Sequence, residues 1–401
     1  MVADRIRETY EDLHVHPELS GQERRTAGIA AQRLREQGFA VQEGLGGTGV
    51  VGVLSQDRAD GPTVLLRADM DALPVSEQTG LPYTSSTDGV MHACGHDMHV
   101  ACLLGAASEL AAARPQWKGT LVVLFQPAEE TVSGARAMVD DGLYEKVPRP
   151  DVVLGQHVAP IPAGTLGLRP GPAFAASDSV RVTFFGRGGH GSRPQTTVDP
   201  VVMAAATVMR LQTVVSREVA PTDMAVLTVG ASNAGTKANI IPDRAELLLN
   251  VRSFRPEVRE RVLAAIHRIV AAESDAAGAP QSPTVDLFES APAVINDAAA
   301  VEHSRRVLES VVGAESVIDP GPVTGSEDVG ILAQAAGAPL VLWLLGGADP
   351  ARFAGATSIE DIEHIVESLP SNHSPHYFPV PDPTIRVGVG ALVATARHWL
   401  A

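Results

Sequence analysis

Nine consecutive residues, Met91-His92-Ala93-Cys94-Gly95-His96-Asp97-Met98-His99, hold three histidines, a cysteine and an aspartate. A second polar knot follows at Gln126-Pro127-Ala128-Glu129-Glu130, and single histidines stand at His157 and at His373, in Asn372-His373-Ser374-Pro375. Thiolate, imidazole and carboxylate together suit Zn, Mn, Co or Ni. Cys94 and His96 flank one glycine, so both can point at one ion or at two neighbouring ions. With Glu130, His157 and His373 the set has five donors, one more than a tetrahedral shell holds, which favours two ions. Glu129 has another use. Adjacent acids on a turn point in different directions, so one can hold metal while the other acts as general base. That base would take a proton from the attacking water and pass it to a leaving nitrogen. Singly, each signal has a plain alternative: a hydrogen-bonded histidine, a packed cysteine, a solvated acidic pair. Their convergence is the argument, and hydrolysis of an amide bond is the chemistry it points to.

Convergence requires elements that deliver these residues. Short runs rich in Val and Leu at 50–54, 64–67, 121–125 and 152–154 predict buried strands. The second leads into Arg67-Ala68-Asp69-Met70-Asp71-Ala72-Leu73-Pro74, the third to Glu129 and Glu130, and the fourth to His157. Open α/β sheets bind ligands at the carboxyl ends of strands. Taken alone, Asp69 and Asp71 could equally cap a loop. Helices are expected over 2–16, 22–37 and 100–113, and His14 and His16, at the end of the first, are read as capping or surface residues.

After about residue 177 the pattern changes. A strand at 179–185, a helix at 199–216, strands at 224–229 and 245–251, a helix at 256–272 and a strand at 284–288 follow. That βαββαβ order is the ferredoxin-like split unit. A helix at 300–311, a strand at 340–345 and a helix at 384–400 then return to the first domain, with loop and short helix between 346 and 370. The expected architecture is α/β: a larger mixed-sheet domain from 1–177 and 292–401, with an inserted ferredoxin-like domain at 178–291.

At 401 residues the chain exceeds what one core usually supports, which agrees with two domains. A 45% hydrophobic and 19% charged composition is that of a globular protein. The net charge of −16 argues against nucleic acid or an anionic membrane as partner. No run of about 20 apolar residues could span a bilayer, and the first residues lack the apolar core of a signal peptide. The two cysteines, Cys94 and Cys102, would stand roughly 12 Å apart along a helix, too far for a disulfide. A reducing, cytoplasmic location is expected.

Six stretches carry a resemblance that covers nearly the whole chain. They are Leu13-His14-Val15-His16-Pro17-Glu18-Leu19-Ser20, Arg67 to Pro74 as quoted, His92-Ala93-Cys94-Gly95-His96-Asp97, Phe125-Gln126-Pro127-Ala128-Glu129-Glu130, Gly188-Gly189-His190-Gly191-Ser192-Arg193-Pro194 and Asn239-Ile240-Ile241-Pro242. In this order they resemble the metal-dependent N-acyl-amino-acid amidohydrolases, among them hippurate hydrolase, the plant auxin-conjugate hydrolases and the aminoacylase-like and carboxypeptidase-like relatives. The resemblance implies the same five ligands, Cys94, His96, Glu130, His157 and His373, holding two divalent ions. It implies Glu129 as base and Asp71 as the group that orients the site; more distant peptidase relatives have a ligating histidine where this chain has Asp69. His376 competes with His373, but the family's ligand precedes a small residue and Pro, as His373 does. The inserted domain resembles the family's lid and dimerisation domain. There His190 would reach a neighbouring subunit's site and steady an oxyanion, while Asn239 and Arg252 would hold the substrate carboxylate. Arg252 could instead pair with a nearby acid. One departure is Glu327-Asp328-Val329, where relatives carry an aromatic after the Asp. The implied function is cleavage of an N-acyl amino acid, hippurate-like or N-acetylated, by a homodimer or tetramer. The alternatives are a dipeptidase or carboxypeptidase on the same scaffold, and a metal-free binding protein that kept the fold.

Overall fold

Four runs dominated by Val and Leu lie side by side and parallel: Thr120–Gln126, Thr63–Asp69, Val152–Pro162 and Leu340–Ala348. Helices cover the sheet, so these strands read as continuous apolar runs rather than alternating ones. In the computed structural model, which describes residues 2–56, 61–356 and 358–401, they form the centre of an eight-stranded mixed sheet. Ala40–Leu45 and Gly49–Ser55 add antiparallel at one side, and Leu166–Gly167 and Val317–Ile318 at the other.

The His96–Ala112 helix packs on this sheet and is buried almost throughout, because its small apolar side chains face neighbours on every side. Val2–Val15 and Pro381–Trp399 pack beside it. The last contact is close: a Cβ at Gly388 would lie 2.7 Å from Cys102 Sγ. Cys94 and Cys102 are both unbridged.

Two expectations fail here. The strand begun at Val152 does not end before His157 but runs through it to Pro162. Pairing with Thr63–Asp69 stops at Arg67 opposite Gly155, whereas pairing with Leu340–Ala348 continues past His157 opposite Leu344. His157 is thus delivered by the end of the neighbouring strand, not its own. Backbone pairing continues where the apolar run in sequence does not.

His14 is neither a cap nor a surface residue. It is buried, with Nδ1 2.6 Å from Asp97 Oδ2 and Nε2 3.2 Å from Glu77 Oε1. The rings of Tyr10 and Tyr83 pack against it. His16, one turn edge further, is the exposed member of the pair.

The chain divides into two compact units. The sheet and helices above form the first, from the N-terminal segment to Ala173, Ile295–Gly321 and Asp328–Ala401. The second, Phe174–Val294 with Pro322–Glu327, runs Ala176–Phe185, Pro200–Glu218, Ala225–Ala234, Arg244–Ser253, Pro256–Ala276 and Thr284–Ala291. Its four strands form one antiparallel sheet in the order Ala225–Ala234, Arg244–Ser253, Ala176–Phe185, Thr284–Ala291. Arg244–Ser253 alternates buried and part-buried residues, the period of a strand with one covered face. Asp199 caps the first helix by accepting from Val201 N, and Arg259 binds buried Asp178 through two nitrogens. Among the described residues no helix is long and apolar enough to cross a membrane.

The His14 pocket sets a pH dependence. Burial pushes its pKa down, but Asp97 and Glu77 outweigh burial and raise it from 6.5 to about 9. A folded pKa above the unfolded one means the stabilisation is complete below about pH 6.5 and is lost as pH rises through about 9. His14→Gln is therefore expected to destabilise by roughly 3 kcal/mol at pH 6, with the gap from wild type narrowing by pH 9.5. Urea unfolding midpoints at the two pH values check this; a gap that does not change with pH would contradict it.

Candidate metal centre

Gly95 makes the central turn. Its φ of +80° is left-handed, and a Cβ there would sit 2.4 Å from Val158 Cγ1. Only glycine fits both demands. The turn puts Cys94 just before the helix and His96 at its first position. His96 Nδ1 donates to Asp71 Oδ1 at 3.2 Å, which aims Nε2 away from that carboxylate. Asp71 Oδ2 accepts from Ser20 Oγ and from Glu130 N at 2.7 and 2.9 Å. One carboxylate thus braces an imidazole and the backbone of a second donor.

The other donors gather on the same side. His96 Nε2 lies 3.7 Å from Glu130 Oε1 and 3.9 Å from Glu129 Oε2. Cys94 Sγ lies 3.6 Å from His157 Nε2, and His373 Nε2 3.3 Å from Glu130 Oε2. Donor atoms within 4.8 Å of one another form the sets Cys94–His96–His157, Cys94–Glu130–His373 and His96–Glu129–Glu130. All five expected donors are thus brought together, and Cys94 belongs to two sets. His96 Nε2 and Glu130 Oε1 are buried with no hydrogen-bond partner. Desolvated polar atoms without partners are costly, and a cation between them would satisfy both. Thiolate, imidazole and carboxylate in this arrangement fit a divalent cation.

The turn around Glu129 and Glu130 follows the Thr120–Gln126 strand and is held from outside. Ala128, at φ +49°, donates its N–H to Glu23 Oε1. His373 also has a left-handed φ, +73°, and its N–H donates to Ala93 O at 2.8 Å. Asn372 Nδ2 donates to Cys94 O and Val158 O, both at 3.3 Å. These contacts hook the C-terminal segment onto the turn. His376, the competing histidine, donates Nδ1–H to Gln78 O instead.

Electrostatics separates the two cysteines. Burial would raise the Cys94 thiol, but the imidazoles of His157 and His96 hold it well below the usual thiol range. Burial pushes Cys102, which has no such neighbours, up to about 12. Hydrogen bonds to Cys94 and Glu130 raise His373 to about 10. Burial lowers His99 to about 4 despite its contact with Asp69.

Asp69 and Asp71 do different things. Asp69 Oδ1 contacts His99 Nδ1 at 2.5 Å and its Oδ2 accepts from Arg67 Nη1 at 2.7 Å. Asp328, the residue before the departure at Val329, is buried and accepts from Gln126 Nε2, Ala135 N and Arg67 Nη2.

In the second unit, Gly189–His190 pairs with Ile240–Ile241, and Gly191 N donates to Asn239 O. His190 Nδ1 accepts from Ser192 N at 3.1 Å, which leaves the ring proton on Nε2. Among the described residues Arg252 pairs with no acid: its guanidinium donates to Asn250 Oδ1 and Thr324 O. Sequence reasoning missed the supporting roles of His14, Glu23 and Asn372. Asn372 stood beside a quoted histidine; Glu23 had no sequence signal.

A thiol, imidazoles and carboxylates gathered beside the ends of parallel α/β strands define a metal-binding hydrolase. The family described as Peptidase family M20/M25/M40 matches residues 65–370. The chain belongs to that family and is an amidohydrolase. It is similar to a hippurate hydrolase of Campylobacter jejuni, 40% identical over 328 residues, covering 80% of this chain and 83% of that one. An N-acetyl-L-cysteine deacetylase of Bacillus subtilis is 39% identical over 317 residues, 79% of this chain and 74% of that one. A solved Bacillus subtilis structure, described as a dinuclear metal binding peptidase from the M20 family, matches with a TM-score of 0.77 and 29% identity, over 100% of this chain and 98% of that one.

Gly95→Ala is expected to destabilise the protein by about 1–3 kcal/mol, from positive φ and the clash with Val158, and to lower bound metal. Urea unfolding together with metal analysis checks this; a variant with wild-type stability would show that the turn tolerates a side chain.

Proposed function

We propose that the chain hydrolyses the amide bond of N-acyl amino acids, hippurate-like or N-acetylated, to a carboxylic acid and a free amino acid at a centre of two divalent ions. The observation that carries this reading is Cys94, common to the sets Cys94–His96–His157 and Cys94–Glu130–His373. The activities printed for the similar hippurate hydrolase and deacetylase support the substrate class, and the dinuclear relative supports two ions.

Cys94, His96, Glu130, His157 and His373 would hold the ions, which when bound supply Lewis acidity towards water and the scissile carbonyl. Zinc or manganese suits the mixed sulfur, nitrogen and oxygen donors. Glu129, buried at the rim of the donor set, takes the proton of the attacking water. It then delivers that proton to the amide nitrogen as the C–N bond breaks, so the amine leaves neutral. Asp71 keeps His96 in one tautomer and fixes the Glu130 backbone.

The second unit is proposed as a ferredoxin-like lid and dimerisation domain, with domains at 1–177, 178–291 and 292–401. Its strand-helix order and antiparallel sheet support the first part. Exposed Val201, Val202 and Met209 on one helix support a homodimer, since such apolar side chains suit an interface with a second copy. His190, with its proton on Nε2, suits an oxyanion donor. Asn239 and Arg252 suit the substrate carboxylate. Cys94 has to stay reduced to act as a ligand, so the cytoplasm is the proposed compartment.

Metal analysis of the pure protein is expected to find about two ions per chain. A content well under one, with no activity on adding Mn or Zn, would sink this reading. Glu129→Gln should keep its metal and lose roughly 100- to 10,000-fold in turnover; near wild-type turnover would show that the base lies elsewhere. Cys94→Ala should lose metal, and unchanged content would remove Cys94 from the ligands. A hydrolysis screen over N-acetyl, N-benzoyl and indole-acyl amino acids against dipeptides tests the substrate class, and turnover of dipeptides alone would favour the peptidase alternative.

A further inference from the structure

The second aspartate of the Asp69-Met70-Asp71 pair already has a task, because Asp71 braces His96 and Glu130. Asp69 makes no hydrogen bond to either, although its Oδ2 lies 3.7 Å from His96 Nε2, and it is buried and ionised beside Arg67. Its other oxygen faces His99 Nδ1 at 2.5 Å. The chemistry of the atoms beyond fixes every proton in turn. Val158 N is a donor and points at His99 Nε2 at 2.7 Å, so that nitrogen must be the acceptor. The proton of neutral His99 therefore sits on Nδ1 and is donated to Asp69. Val158 O can only accept, and His157 Nδ1 lies 2.8 Å from it, so His157 carries its proton on Nδ1. In neutral His157 the lone pair then resides on Nε2, the atom 3.6 Å from Cys94 Sγ. Asn372 Nδ2 holds the same Val158 carbonyl from the other side at 3.3 Å.

We propose that Asp69 is a positioning residue that acts through His99 and the two peptide units flanking Val158 to lock His157 with its Nε2 lone pair turned towards Cys94. The two aspartates then divide the centre. Asp71 sets His96 and Glu130 directly, and Asp69 sets His157 at two removes. Arg67 keeps Asp69 charged and oriented, so the lock starts from the polar core beneath the sheet end. A ligating histidine's other nitrogen commonly needs a fixed acceptor. Here that acceptor is a main-chain carbonyl, and the Asp69–His99 pair holds the adjoining peptide, on the other side of the Val158 Cα, still.

The metal arm of the test rests on the metal-centre reading; the tautomer arm does not. In metal-free protein labelled with [15N]histidine, long-range 1H–15N spectra at pH 7.5 report which ring nitrogen carries the proton. His99 is assigned by its missing signal in His99→Gln, or by proximity to the Val158 amide should that variant not fold. The expected result is an Nδ1–H tautomer at His99, perturbed in Asp69→Asn, where one carbonyl oxygen must serve both Arg67 and His99. An Nε2–H tautomer at His99, or a spectrum unchanged by Asp69→Asn, would overturn the proposal. In Zn2+ titrations, Asp69→Asn and His99→Gln should each weaken binding about 10- to 100-fold. The double variant should be no weaker than the worse single one. Losses that multiply would mean that Asp69 acts independently of His99, which also overturns it. A wild-type protein that takes up no zinc would defeat the metal-centre reading instead, and the tautomer result would still judge the lock.

Discussion

A guanidinium sealed from water has to be matched on every side, and the first unit is arranged around one. Arg67, 1% exposed, donates to Asp69, Gln126 and Asp328. Removing Asp69 and Asp328 would leave the buried guanidinium uncompensated, which is far costlier than never having buried the charges. These residues come from two adjacent parallel strands and from the start of the Val329–Ala336 helix. Asp328 sits at the N-cap of that helix yet does not cap it. Its carboxylate turns to Arg67, Gln126 and the N–H of Ala135 instead. The strand ends, and so the carboxylates just beyond them, are thereby held in a single register.

Above that polar layer the donors are held by a second set of fixed contacts. Asp71 fixes His96 and Glu130, Asn372 ties Cys94 to Val158, and His373 hangs from Ala93. Strain is concentrated at the same place: Ala128, Val132 and His373 are the non-glycine residues with positive φ among the described residues. Such conformations persist only where the surroundings over-determine them. The buried, unpartnered atoms of His96 and Glu130 complete the picture of a cage built for a cation rather than for its own hydrogen bonds.

The donor types were legible because metal chemistry depends on side-chain identity and local spacing. Cys94-Gly95-His96 and Glu129-Glu130 announce themselves within a few residues. The parallel strands were legible for a related reason, since burial on both faces forces a continuous apolar run. The support was not. His14 read as a helix cap because sequence shows only its place at a helix end, whereas Asp97 and Glu77 lie 83 and 63 positions away. His157 read as a strand-end residue because side chains mark the apolar run, while the strand itself is set by backbone pairing with Leu340–Ala348.

Sequence alone determined which groups could bind a metal, which acid stood beside them, and that a βαββαβ stretch interrupts the first domain. Local rules suffice for that, because residue type, period and turn chemistry act over a few positions. Only the tertiary structure decided which partners Asp69 and Asp71 each take and what Asp328 accepts from, while it set beside Glu130 the histidine, His373, that its motif had implied. Those answers depend on contacts between residues up to 261 positions apart. Burial decides them: once water is excluded, each charge and each imidazole must take a partner that is in place, and only the folded chain says which partner that is.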